Sequence, residues 1–197
     1  MHKKTVNKKY LCFTVLILIY CVCFIVQTLH LKKLYPDPPV NLVAYESTFS
    51  TEGYQIALAN WNIQNYSDTV KQWPVLESAY QDMGAWSNPD YIIYTDLIIT
   101  NTSAAADTYL DITRFNFESG SWSNGISLDG FQLLNPGYRL SNVQVPAGEQ
   151  LTLHLTCNIY RMHFSDSLWK NIRNRSFGLT LTYYPQKILL TGEKIKL

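Results

Sequence analysis

Tyr10 to Leu31 runs for 22 residues without a single Asp, Glu, Lys or Arg. Nothing else in the 197-residue chain limits its fold so strongly. At about 1.5 Å per residue, a helix of this length spans about 33 Å, enough to cross the hydrocarbon core of a bilayer. Lys3, Lys4, Lys8 and Lys9 precede the run, and Lys32 and Lys33 close it. The excess on the N-terminal side predicts a cytoplasmic N-terminus and an exported remainder. Residues 1–33 are therefore read as a cytoplasmic stub and a transmembrane signal anchor, meeting the membrane through residues 10–31. A cleaved signal peptide is the rival reading. Its apolar region would be shorter, roughly 7–15 residues, and would end in a small-x-small site. Here the exit is Gln27-Thr28-Leu29-His30-Leu31-Lys32. Cys12, Cys21 and Cys23 follow Leu11, Tyr20 and Val22, not the small residue of a lipoprotein signal.

The same segmentation explains the charge. The formal net charge of +1 is a cancellation. The first 33 residues hold six lysines and no acid, and from Leu34 onward ten bases face 15 acids. The exported part is itself uneven. Leu34 to Tyr138 sets 12 acids against Lys71 and Arg114, while Arg139 to Leu197 sets eight bases against three acids. Pairing between these halves is the plain expectation, and a two-faced docking surface is the functional one. A nucleic-acid partner is disfavoured, because the exported part is net acidic and on the far side of the membrane. Cys157 is the sole exported cysteine, so no disulfide can form within that part. It must fold on its apolar core alone.

Tyr35-Pro36-Asp37-Pro38-Pro39 cannot continue a helix, so residues 34–39 are read as a stiff, proline-rich spacer. Beyond it the pattern is mostly period two. Val40 to Thr48 and Tyr54 to Asn60 read as strands, with a turn around Ser50-Thr51-Glu52-Gly53. Asn65 to Met83 is irregular, with Val75 to Asp82 either a helical turn or a loop strand. Tyr91 to Thr100 is the strongest strand, rich in β-branched and aromatic residues. Tyr109 to Glu118 alternates with a slip near Arg114 that predicts a bulge. Ser119 to Gly130 reads as a loop carrying Trp122. Leu151 to Tyr160 and Phe177 to Tyr184 alternate cleanly, and Lys187 to Leu197 offers a last strand. Ser165 to Asn171 is a candidate short helix with Ser165 as its N-cap. Seven or eight strands and at most one short helix predict an all-β fold. The expected architecture for residues 40–197 is an extracytoplasmic, antiparallel, immunoglobulin-like β-sandwich, preceded by one N-terminal transmembrane helix.

Three segments carry a resemblance. Asn41 to Asn62 ends in Leu-Ala-Asn-Trp-Asn, and Asp96 to Ser103 ends in Ile-Ile-Thr-Asn-Thr-Ser. Pro146-Ala-Gly-Glu-Gln-Leu-Thr-Leu is followed by Phe177-Gly-Leu-Thr-Leu-Thr-Tyr-Tyr-Pro-Gln-Lys187. Together they resemble a family of uncharacterised, membrane-anchored or exported proteins of about this length from Gram-positive bacteria. More loosely, the Thr-Asn-Thr-Ser and Pro-Ala-Gly-Glu elements are similar to those of immunoglobulin-like domains in bacterial surface lipoproteins. The resemblance implies a fold and brings no catalytic residue with it.

The residues themselves offer little chemistry. His154 lies on the polar side of its strand with Thr152 and Thr156 and reads as an exposed strand histidine. His163 is near Asp166 and Cys157 in sequence, but Cys157 falls on the leucine face and reads as buried and inert. Asp107 and Asp111 read as solvated loop acids. No H-E-x-x-H, G-x-S-x-G, C-x-x-C or calcium-loop pattern occurs. No catalytic residue, cofactor, metal or small-molecule substrate is expected. The aromatics remain. Trp61, Trp73, Trp86 and Trp122 lie in or beside polar stretches. They either plug the ends of the sandwich or form a partner-binding surface, and Trp122 is read as the most exposed. The expected function is a membrane-tethered binding or interaction module without catalytic activity, its partner an envelope or membrane protein. An accessory subunit of an envelope transporter or secretion complex is the alternative. A surface hydrolase comes last, since it needs a cleft lined by acids or by His163.

Overall fold

β-branched and aromatic alternation beyond the proline-rich spacer becomes eleven strands among the described residues, which are 8–81 and 88–192 of this computed structural model. The chain divides into two units, Met1–Pro39 and Val40–Leu197. The first contains α1 (Lys8–Leu34), which ends just before Tyr35-Pro36, where proline removes the next helical donor. From Phe13 to Leu34 it is long and apolar enough to cross a membrane.

In the second unit, β1 (Val40–Val43), β2 (Thr48–Thr51) and β3 (Tyr54–Asn65) come first. Then α2 (Tyr66–Gln72), a 3-10 turn over Pro74–Glu77 and α3 (Ser78–Gln81) replace the irregular stretch. β4 (Tyr91–Asn101), β5 (Thr108–Leu110), β6 (Asn116–Ser119) and β7 (Trp122–Gly125) lead to α4 (Leu128–Leu134). β8 (Val143–Val145), β9 (Gln150–Ile159), α5 (Asp166–Lys170), β10 (Gly178–Thr182) and β11 (Lys187–Thr191) complete it. A five-stranded sheet in the order β1-β11-β10-β6-β7 packs on a four-stranded sheet in the order β2-β3-β4-β9, and β5 pairs with β8 beside them. Ile56, Leu58, Leu97 and Leu153 from one sheet meet Phe117, Leu179 and Leu190 from the other in a single core. The unit is a β-sandwich.

Four expectations are corrected. Not every pair is antiparallel: β1 runs parallel to β11, with Val40 opposite Lys187. The chain leaves β1 for the other sheet at once, so β1 finds its partner in the final strand. Tyr109 to Glu118 is not one bulged strand. β5 and β6 lie in different sheets, and Asp111 accepts from the Thr113 backbone at 3.0 Å and its hydroxyl at 2.5 Å, making a turn between them. Ser119 to Gly130 is not a loop. It holds β7 and the start of α4, whose N-cap Ser127 accepts from the Gly130 N–H. Helices also exceed the one expected, because residues 66–81 and α4 cover the outer face of β4 and β9, burying Leu76, Tyr80 and Ile92. Ser165 does stand at the N-cap of α5, though its side chain makes no cap bond. Of the ion pairs among the described residues, Lys187–Glu118 joins the basic and acidic halves, whereas Lys71–Asp68 and Arg161–Asp166 are local.

Gly192 marks the tightest approach in the core. A Cβ placed there would lie 2.0 Å from the Trp61 ring, which is itself buried against Phe117. Gly192→Ala is expected to cost about 3 kcal/mol by overpacking, read as a lower urea midpoint.

Candidate functional site

An aspartate in the middle of a buried strand needs partners, because burying an unpaired carboxylate costs several kcal/mol. Asp96 sits at the centre of β4 and is buried. The register supplies its partners. Asp96 lies directly opposite His154 on β9, and Tyr94, two residues earlier, shares its face. The His154 Nδ1 lies 2.6 Å from Asp96 Oδ1, so Nδ1 carries the proton and donates to the carboxylate. The Tyr94 hydroxyl donates to the same oxygen at 2.8 Å and lies 2.9 Å from Nδ1. Asn60 Nδ2 donates to Asp96 Oδ2 at 2.6 Å.

Asn60 reaches Asp96 because β3 is bulged there. Ala59 pairs with Asp96 and Asn62 with Tyr94, so Asn60 and Trp61 together face one residue, Thr95. Asn60 takes φ 51°, the left-handed conformation that asparagine tolerates better than most residues. The bulge re-aims one polar side chain without breaking the sheet. His154 is held from behind as well. Asn135, the C-cap of α4, accepts from the His154 N–H and donates to its carbonyl, both at 2.8 Å. That pair satisfies the outward backbone of an edge strand, which would otherwise be exposed.

Over this cluster lies Trp73, in the turn after α2. Its ring stacks on Tyr94, with centroids 5.1 Å apart and planes 20° from parallel, and lies 6.0 Å from the His154 ring. Trp73, Tyr94, Asp96 and His154 line an open cleft of about 500 Å³, with Asn60, Asn62 and Gln72 at its edges. The volume falls within the roughly 300–1,000 Å³ of small-molecule sites. Among the described residues no Lys or Arg lines it and no His/Cys/Asp/Glu cluster could hold a metal ion.

The buried groups titrate away from their ordinary values. Burial raises the Tyr94 pKa, and the hydrogen bond to Asp96 raises it further. Burial also raises that of Tyr80, with Tyr160 adding to it, and that of the Cys157 thiol. Each holds its proton more tightly when folded. Above about pH 10 the unfolded chain gives up protons that the folded chain keeps, so stability falls as pH rises. The urea midpoint is expected to be lower at about pH 10.5 than at neutral pH, and lower by less in Tyr94→Phe.

The aromatic residues expected to bind partners separate. Trp73 alone forms a wall of the cleft. Trp61 touches its edge, but its ring packs on Phe117 in the core. Trp122 is buried, not exposed: β6 and β7 form a tight hairpin through Gly120, at φ 60°, which turns Trp122 inward against Phe164 and Phe177. Trp86 lies outside the described residues. His154 is half-buried and hydrogen-bonded, not the free strand histidine expected. Cys157 is buried in the core, as its position on the leucine face implied. His163 is exposed beside Tyr160.

Three solved structures are similar in outline. A functionally unknown protein from Listeria monocytogenes is 16% identical, with 76% of this chain and 82% of that one covered at a TM-score of 0.46. A secreted protein from Mycobacterium tuberculosis is 6% identical, covering 78% and 97% at 0.44. An uncharacterised β-sandwich protein from Clostridium difficile is 11% identical, covering 80% and 97% at 0.38. No curated protein matches the sequence. Residues 41–188 match the family described as a domain of unknown function, DUF5028; most of the chain is covered, and the protein belongs to that family.

Proposed function

We propose that this chain is a membrane-tethered binding module. In this reading α1 is a single-pass anchor with its N-terminus in the cytoplasm, and the immunoglobulin-like sandwich stands outside, in the envelope of a Gram-positive bacterium. The lysine bias around the apolar run supports that orientation. Recognition occurs at the cleft over Asp96. One observation carries this most: a buried carboxylate with three side-chain donors fixes His154 at the floor of an open space walled by Trp73. A polar network held this firmly in a site open to solvent is preorganised for a ligand.

The full chain in lipid nanodiscs is the material for the test. Separated envelope fractions are offered to it, and binding is followed by tryptophan fluorescence. The combined Trp73→Ala and His154→Ala substitutions are expected to abolish binding, and Tyr184→Ala, at an exposed tyrosine that does not line the cleft, to leave it intact. Equal binding by all three proteins would place recognition elsewhere. If the chain instead serves as an accessory subunit of an envelope complex, replacing residues 1–33 with an unrelated anchor abolishes assembly while leaving cleft binding unchanged.

The hydrogen bond between Asp96 and His154 favours a second reading. A carboxylate that orients an imidazole is also the arrangement of a general base, here with water as the nucleophile. Ester or glycoside hydrolysis that disappears in His154→Ala would establish it. Ligand binding without turnover supports the binding module.

A further inference from the structure

We infer that the ligand of the Asp96 cleft is a neutral sugar ring, an assignment that rests on the cleft being the binding site. Charge is the first argument. No Lys or Arg lines the cleft among the described residues, so a phosphate or carboxylate would meet the Asp96 carboxylate without a guanidinium or ammonium to pair with. A cation is no better served. Both Asp96 oxygens already accept from donors, Oδ1 from Tyr94 and His154 and Oδ2 from Asn60, and the carboxylate is buried beneath them.

Hydrogen-bonding capacity is the second argument. Asn62 and Gln72 at the edge make no side-chain hydrogen bond among the described residues, and Asn60 keeps its amide oxygen free. Each amide offers a donor and an acceptor close together, as a sugar hydroxyl does. Because Nδ1 of His154 is committed to Asp96, its Nε2 is left to hydrogen-bond a hydroxyl, which can both donate and accept. Trp73 is the third. An indole held against Tyr94 is a stiff apolar wall, suited to the C–H face of a pyranose ring. The open cleft of about 500 Å³ leaves room for more than one ring of a chain.

The test titrates the full chain, in nanodiscs free of glycoside detergent, with neutral mono- and oligosaccharides, tetramethylammonium and inorganic phosphate. Tryptophan fluorescence and calorimetry are the readouts. Neutral saccharides are expected to bind, more tightly as the chain lengthens. Trp73→Ala and His154→Ala should each weaken binding about tenfold or more, and Trp73→Phe should recover most of the loss. Melting temperatures recorded for each variant separate a lost contact from a lost fold. Free oligosaccharide binding as tightly as the same unit in an insoluble polysaccharide identifies a soluble sugar; preference for the polymer identifies an envelope glycan. Either result supports the assignment. Tetramethylammonium or phosphate binding that is lost in Trp73→Ala, with saccharides inert, overturns the sugar and keeps the cleft. Saccharide binding indifferent to both substitutions overturns the cleft as well.

Discussion

Asp96→Ala is expected to lower the melting temperature of the folded domain by roughly 10 °C, a loss of about 3–4 kcal/mol for a domain of this size. The carboxylate accepts from Asn60, Tyr94 and His154, and the substitution strips all three of their acceptor at once. The Tyr94 hydroxyl and the Asn60 amide are then left without the bonds that justified their positions. Orphaned donors of this kind cost about 1–3 kcal/mol each when buried, less where water can enter from the cleft. Asp96→Asn keeps the shape but turns one oxygen into a donor facing other donors, so about half the loss is expected. Thermal unfolding followed by circular dichroism checks both. A change below about 1 kcal/mol for Asp96→Ala would show that the carboxylate organises nothing.

Trp122→Ala is expected to be as damaging, for a different reason. The side chain is buried in the core, edge-on to Phe177 and stacked on Phe164. Removing it leaves a cavity the size of an indole between the two sheets, worth about 3–5 kcal/mol. Among the described residues its buried Nε1 has no hydrogen-bond partner, so no such bond is lost with the ring. Trp73→Ala, by contrast, is expected to cost about 1–2 kcal/mol, since Trp73 is only partly buried. If Trp122→Ala leaves the urea midpoint unchanged and removes ligand binding, the ring is on the surface and the packing is wrong.

Much of the sandwich was legible in the sequence. β4 announces itself through its density of β-branched and aromatic residues, and β9 and β10 through period-two alternation. The helices over the outer face were less so. Leu128–Leu134 is only seven residues long, and its apolar residues Phe131, Leu133 and Leu134 read as well for a short strand. The parallel β1·β11 pair joins residues about 147 apart, and no local pattern encodes such a pairing.

The site was legible only in fragments. Asp96, an acid amid isoleucines, and His154, on the polar side of its strand, are each visible in the sequence. What joins them is register across 58 residues, together with a bulge that turns Asn60 inward. Trp122 misled for a related reason. Glycine and serine around a tryptophan suggest an exposed loop, but here they build the hairpin that buries it.

The most direct measurement follows backbone amides, the Trp73 indole and the His154 ring by NMR. The full chain in nanodiscs would be titrated with a neutral oligosaccharide or with the active envelope fraction. Shifts concentrated on Asn60, Asn62, Trp73, Tyr94 and His154, with the core Trp122 indole unmoved, are the expected result. Shifts confined to another surface, such as the exposed Val40 and Leu42 of β1, with the cleft silent, would contradict a binding role for Asp96 and its neighbours.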